Sequence, residues 1–162
     1  MLKVKDLLKL SRSHRPVLVS NATKVGITFT SVVYDKDARG YFKKIRGTAL
    51  TNLPGKKVKK FEIRVYYDKK GGYIPDFKGL RPKNYKEPKD PNASKLTIES
   101  DCWVRCSCEY FLYHCEVADT RKDAASIKYS NGALPKVTNP RYIPHICKHL
   151  IKAIQSGALL KK

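Results

Sequence analysis

The sequence predicts an α+β fold: an antiparallel sheet with an N-terminal helix, a Pro-rich extended arm and a C-terminal strand/helix module clasped by a metal-ligand set. Three observations predict it. Several stretches alternate apolar and polar residues with the two-residue period of a half-buried strand, while the two ends of the chain place Leu and Ile on a helical period. Pro75, Pro82, Pro88 and Pro91 forbid a helix or a central strand across residues 71–94. Cys106-Ser107-Cys108 and Cys147-Lys148-His149 are two short ligand pairs separated by 38 residues. Three thiols and an imidazole make a complete tetrahedral zinc shell with no position left open. The chain thus divides into a basic helix and β region (1–70), the arm (71–94) and a zinc-binding module (95–162).

Residues 1–11 form an amphipathic helix, with Leu2, Leu7, Leu8 and Leu10 mostly on one face. So short a helix must dock on its own core or on a partner. Residues 16–20 and 25–34 read as strands; in the second, Val25, Ile27, Phe29, Ser31 and Val33 share a face. A polar turn is expected at 35–40. Residues 42–50 fit neither period. Asn52-Leu53-Pro54-Gly55 is a turn signal. The run Lys56-Lys57-Val58-Lys59-Lys60 leads into a strand over 61–68, with Phe61, Ile63, Val65 and Tyr67 on one face. Tandem lysines at a strand start block edge pairing and equally suit phosphate contacts. In the arm, Tyr73, Phe77 and Tyr85 alternate with basic residues, a pattern suited to base stacking or to pinning the arm on the protein's own surface.

Residues 95–106 read as a strand with Leu96, Ile98, Ser100, Cys102, Val104 and Cys106 on one face and Trp103 as a packing anchor on the other. A helix is expected over 109–120 with Phe111, Leu112 and Cys115 inward, then a loop over 126–139. A last helix is expected over 143–154, carrying Ile146, Leu150, Ile151 and Ile154 on one face and ending near Gly157.

Charge is the strongest compositional signal. Lys+Arg number 34 against 14 Asp+Glu, a net charge of +20. It is uneven: residues 1–95 carry net +16 and residues 96–162 net +4. Such a field attracts polyanions, with nucleic acid (DNA foremost) as the expected partner. Five cysteines and the lack of a secretory leader argue against a disulfide framework and for a reducing cytoplasm, or a virion. No apolar run suits a membrane span.

The strand period puts the Cys106 and Cys108 sulfurs on one face, and Cys147 and His149 open the last helix, so the two pairs can close on one zinc ion. Cys102, Cys115 and His145 stand as possible replacements within that set, His145 also as a residue orienting a ligand. This arrangement, with an aromatic at Phe111 and Leu150 following the second pair, resembles the SWIM zinc finger, CxC…CxH followed by a hydrophobic helix. The resemblance covers roughly residues 96–155. It implies one zinc bound by Cys106, Cys108, Cys147 and His149, and DNA or protein partners without catalysis by the zinc. The gap between the pairs is longer than is typical of SWIM modules. The stretch SIKYSNGALPKVTNPRYIPHICKHL also resembles SWIM-bearing proteins of tailed bacteriophages.

The expected function is non-catalytic: a zinc-stabilised basic protein binding nucleic acid with low sequence specificity. The expected contacts are Lys43, Lys44, Arg46, Lys56, Lys57, Lys59 and Lys60, with Lys78, Arg81 and Lys83 from the arm. The alternative is a structural subunit of a phage virion or another nucleoprotein assembly, contacting its neighbours through the arm and termini. No small-molecule substrate or membrane is expected. Enzymatic motifs are missing; Asp35, Asp37 and Glu62 are the only acids that suggest a nuclease, and turn or strand roles explain them more simply.

Overall fold

The computed structural model describes residues 2–24, 26–36, 43–67, 97–125 and 130–155. It is α+β, with a four-stranded antiparallel sheet, two N-terminal helices and C-terminal helices beside the Cys/His cluster. The arm expected over 71–94, with Lys78, Arg81 and Lys83, lies outside the described residues, as do the end of the last helix near Gly157 and most of the turn after residue 36.

Helix α1 (Val4–His14), expected over residues 1–11, starts and ends three residues later. The Lys3 N–H donates to Asp6 Oδ2 at 3.0 Å, so an acidic side chain in the first turn satisfies the backbone just ahead of the helix. The Val4 and Lys5 N–H groups, which a helix cannot satisfy internally, donate to the Ser100 and Ile98 carbonyls. Val4, Leu7 and Ser11 line its buried face. The helix therefore docks on its own core, and Ser11 fastens it: the hydroxyl donates to Leu7 O at 2.6 Å and accepts from the Ile146 N–H at 3.0 Å.

Residues 16–20, expected as a strand, belong instead to helix α2 (Pro16–Lys24). Pro16 sits at the first helical position, where its missing N–H is not needed and its fixed φ is already helical. Leu18 and Ala22, four apart, are buried in the core, and α2 packs against the last helix. Tertiary burial overrides the strand preference of Val17 and Val19.

Strands β1 (Gly26–Lys36), β2 (Lys43–Asn52), β3 (Lys59–Tyr67) and β4 (Cys102–Cys106) lie in that order. The ambiguous residues 42–50 are largely β2, whose short or absent side chains (Gly47, Ala49) hide the alternation. Its register places Ile45 opposite Val65 and Gly47 opposite Ile63, while on the next strand pair Val65 faces Val104 and Ile63 faces Cys106. These residues form the core face. On the reverse face, Tyr66 pairs with Trp103 and both are buried, as the packing role of Trp103 requires. The β2–β3 connection turns at Leu53–Lys56, closed by the Lys56 N–H to Leu53 O, with Gly55 at φ +72°. Glycine after proline suits that positive φ.

Strand β4 is shorter than expected. Residues 97–100 make a turn closed by the Ser100 N–H to Thr97 O. The outer edge of β4 is covered, with the Cys102 N–H on Leu2 O and the Val104 N–H on Ala124 O. After Cys108 the chain is helical: a π-turn (Phe111–Cys115) runs into α3 (Glu116–Thr120), with Phe111 and Cys115 buried.

The last helix, α4 (Lys148–Gln155), begins five residues later than expected. Residues 143–147 are held out of the helix by side-chain hydrogen bonds. Asn139, fully buried, accepts from the Ile143 N–H and donates to the Ile143 and His114 carbonyls. The His145 N–H donates to Asp119 and the Ile146 N–H to Ser11. Pro144 also disfavours helical backbone at Ile143. Ile146, Leu150, Ile151 and Ile154 are all buried, as expected.

Replacing Ser11 by alanine strips the buried Ile146 N–H of its acceptor. Urea unfolding of Ser11→Ala is expected to show a loss of about 1–3 kcal/mol, the cost of an orphaned buried donor. An unchanged midpoint would mean that Ser11 does not fasten α1 to the segment before α4.

Candidate metal centre

Cys106 ends β4, and pairing with β3 continues one residue beyond it. The Ser107 N–H donates to Glu62 O at 3.0 Å, and Ser107 Oγ accepts from the Glu62 N–H at 2.8 Å. This anchors the middle of the Cys-x-Cys pair and leaves both flanking thiols facing the core. The Phe111 N–H points at Cys108 Sγ at 3.4 Å. Cys147 immediately precedes α4, and its carbonyl accepts from the Ile151 N–H, so the helix's first turn fixes the second pair. The strand end and the helix start thereby face each other.

The donor atoms of Cys106, Cys108, Cys147 and His149 all lie within 4.8 Å of one another, and all four residues are buried. His149 Nδ1 is 3.8 Å from Cys106 Sγ and 4.0 Å from Cys147 Sγ. A tetrahedral ion with bonds of about 2.0–2.3 Å separates its donors by roughly 3.5–3.8 Å. The set fits a metal ion such as zinc once the most distant donors close by up to about 1 Å.

The three thiols share one dry pocket. Burial pushes the Cys106 and Cys147 thiols well above the ordinary range. Hydrogen bonding from Cys106, and then from Cys147, pulls Cys108 far below it. Ionising all three needs a compensating cation, which makes metal loading a proton-releasing event.

The sequence-based replacements are not part of this group. Cys102 and Cys115 are buried core thiols that burial pushes up, Cys102 beyond the usual range and Cys115 well above it. His145 is otherwise engaged. Its Nδ1 lies 2.9 Å from Ile143 O, an acceptor, so that nitrogen carries the proton. Its Nε2 then accepts from the Tyr110 hydroxyl at 3.1 Å. Burial lowers its pKa to about 4, keeping the ring neutral.

Thr51 is the residue that sequence reasoning missed. Its Oγ1 is 2.9 Å from His149 Nε2, the nitrogen turned away from the sulfurs. With Nε2 protonated toward Thr51, Nδ1 keeps a lone pair for a metal. Phe61 lies against the same ring at 4.6 Å between centroids. Thr51 and Phe61 sit near one another across β2 and β3, so the sheet orients the imidazole that the helix carries. Nothing local in the sequence marks Thr51, which is 98 residues from His149.

The basic residues do not converge on this cluster as a group. Arg46, Lys56, Lys57, Lys59 and Lys60 are exposed, the last four along the β2–β3 turn and the start of β3. Lys43 and Lys44 belong to β2, opposite Tyr67 and Tyr66. Of the acids considered for catalysis, Glu62 pairs with Arg64 at 2.9 Å, Asp35 lies in β1, and Asp37 is outside the described residues. Among the described residues no helix is long and apolar enough to cross a membrane.

No family model matches the chain, and neither curated proteins nor solved structures give a match.

Thr51→Val keeps the shape of the side chain but removes the hydroxyl. Chelator competition is expected to show metal affinity reduced by roughly 10–100-fold, as for loss of other residues that orient a ligand. Affinity equal to the parent's would remove Thr51 from the metal's support.

Proposed function

We propose that the protein is a non-catalytic, zinc-stabilised nucleic-acid-binding protein of low sequence specificity, with zinc held by Cys106, Cys108, Cys147 and His149. The observation carrying this reading is a closed, buried donor set beside an exposed basic run. The four donors leave no position for substrate or water, so the ion's role is to hold strand and helix together. Lys56, Lys57, Lys59 and Lys60 are exposed on one turn and strand start, within a chain of net charge +20. Phosphate contacts of this kind bind polyanions without reading bases. DNA in a reducing cytoplasm is the expected partner. The CxC…CxH spacing and the α4 that follows it support a SWIM-like module, despite the long intervening segment.

A second reading, a subunit of a phage virion or other nucleoprotein assembly, is favoured by one feature. Tyr113, Leu134 and Val137 are 60%, 40% and 93% exposed beside a surface cleft. Part of the phage-like stretch forms that cleft, and exposed apolar groups of this kind suit a protein neighbour.

Salt titration of duplex DNA binding tests the first reading. The logarithm of affinity is expected to fall linearly with the logarithm of salt concentration. Replacing Lys56 and Lys57 together by glutamine is expected to reduce the slope by about 2, near 0.9 per lost phosphate contact. Absence of binding at low salt contradicts the reading.

A further inference from the structure

Beside the metal centre, a groove of about 660 Å³ opens between α2, the β2–β3 turn and the start of the π-turn helix. We propose that this groove receives an unstacked base of a single-stranded nucleic acid, with the flanking phosphates on its lysine rim. The proposal rests on the nucleic-acid reading above and deepens it from a charge to a place and a strand type.

The groove has the two components such a site needs. Its floor is apolar and aromatic: Val17, Leu18 and Leu53 line it together with Phe61 and Tyr110, both half-buried. A base offers a π-face to such a floor whatever its identity, so stacking adds affinity without demanding a sequence. The rim is cationic. Lys59 and Lys60, both exposed, line it with the half-buried Lys148, and Glu109 is the single carboxylate among the lining residues. Lys56 and Lys57, exposed on the preceding turn, extend the basic run in sequence.

Strand type follows from the cost of freeing a base. Turning a base out of an intact duplex costs its pairing as well as its stacking; a single strand presents one without the pairing cost. An acidic apolar protein segment would also match the groove's chemistry. The continuous lysine run and the chain's net charge of +20 favour a repeating phosphate backbone over a few carboxylates.

The same geometry links the groove to the metal. Cys108 and His149 line it, and Lys148 sits between the ligands Cys147 and His149. Fixing the donor set therefore fixes one wall of the groove and one rim lysine. Base binding is expected to weaken when the metal is withdrawn, while phosphate binding by Lys56 and Lys57 persists.

The test is fluorescence anisotropy with the full-length, zinc-loaded protein at low salt. Its probes are labelled oligothymidylate, an abasic strand of equal phosphate number and a duplex of equal length. Oligothymidylate is expected to bind about 10-fold more tightly than the abasic strand. Val17→Glu places a carboxylate at an exposed groove position on α2. It is expected to erase that preference while leaving duplex binding within about 2-fold and zinc content unchanged. Equal binding of oligothymidylate and the abasic strand overturns the groove assignment but leaves the nucleic-acid reading standing; this comparison needs no variant. No binding of any probe overturns both. A third result also overturns the proposal: an acidic, leucine-bearing peptide binding more tightly than oligothymidylate, with only the peptide lost on Val17→Glu.

Discussion

Four donor side chains forced together without water are the constraint on which the C-terminal architecture depends. Cys106, Cys108, Cys147 and His149 come from a strand end and a helix start separated by a long excursion of chain, yet their donors lie within 4.8 Å. Burial disfavours ionising three thiols side by side. A dication removes that frustration and draws the two elements into one unit. Neighbouring bonds make the closure two-sided. Ser107 locks the first pair to β3, the first turn of α4 locks the second, and Thr51 turns the imidazole from across the sheet. Ser11 adds a third support by gripping Ile146, next to Cys147.

Buried donors and exposed charge lie close together in this arrangement. The thiols belong to the same buried cluster as Ile63, Phe111, Ile146 and Leu150, whereas the tandem lysines are exposed on the β2–β3 turn and the start of β3. One strand joins the two: β3 carries Lys59 and Lys60 at its exposed start, Phe61 against His149, and Ile63 opposite Cys106. Over a few residues it passes from an exposed, lysine-bearing surface to the wall of the Cys/His cluster.

Much of this was legible in the sequence because it is written in short-range pattern. Alternation marked β1 and β3, the CxC and CxH pairs marked the donors, and Asn-Leu-Pro-Gly marked the turn at Gly55. What was not legible depends on partners distant in sequence. Val17 and Val19 suggest a strand, but burial of Leu18 and Ala22 against the rest of the core makes α2. The apolar period of α4 extends back through Ile143, yet Ser11 takes the Ile146 N–H that a helix starting there would bond internally, and Asp119 holds the His145 N–H beside it. Thr51 carries no local sign at all, since its role comes from β2 passing behind His149. His145 shows the converse: its spacing makes it a plausible ligand, and only the engagement of both ring nitrogens by Ile143 and Tyr110 removes it.

The coordination shell itself is the most direct test of the central claim. X-ray absorption at the zinc edge of the purified, metal-loaded protein is expected to show three sulfurs near 2.3 Å and one nitrogen near 2.0–2.1 Å. An oxygen in the first shell, a different sulfur count or a failure to retain zinc would contradict the closed Cys106–Cys108–Cys147–His149 clasp.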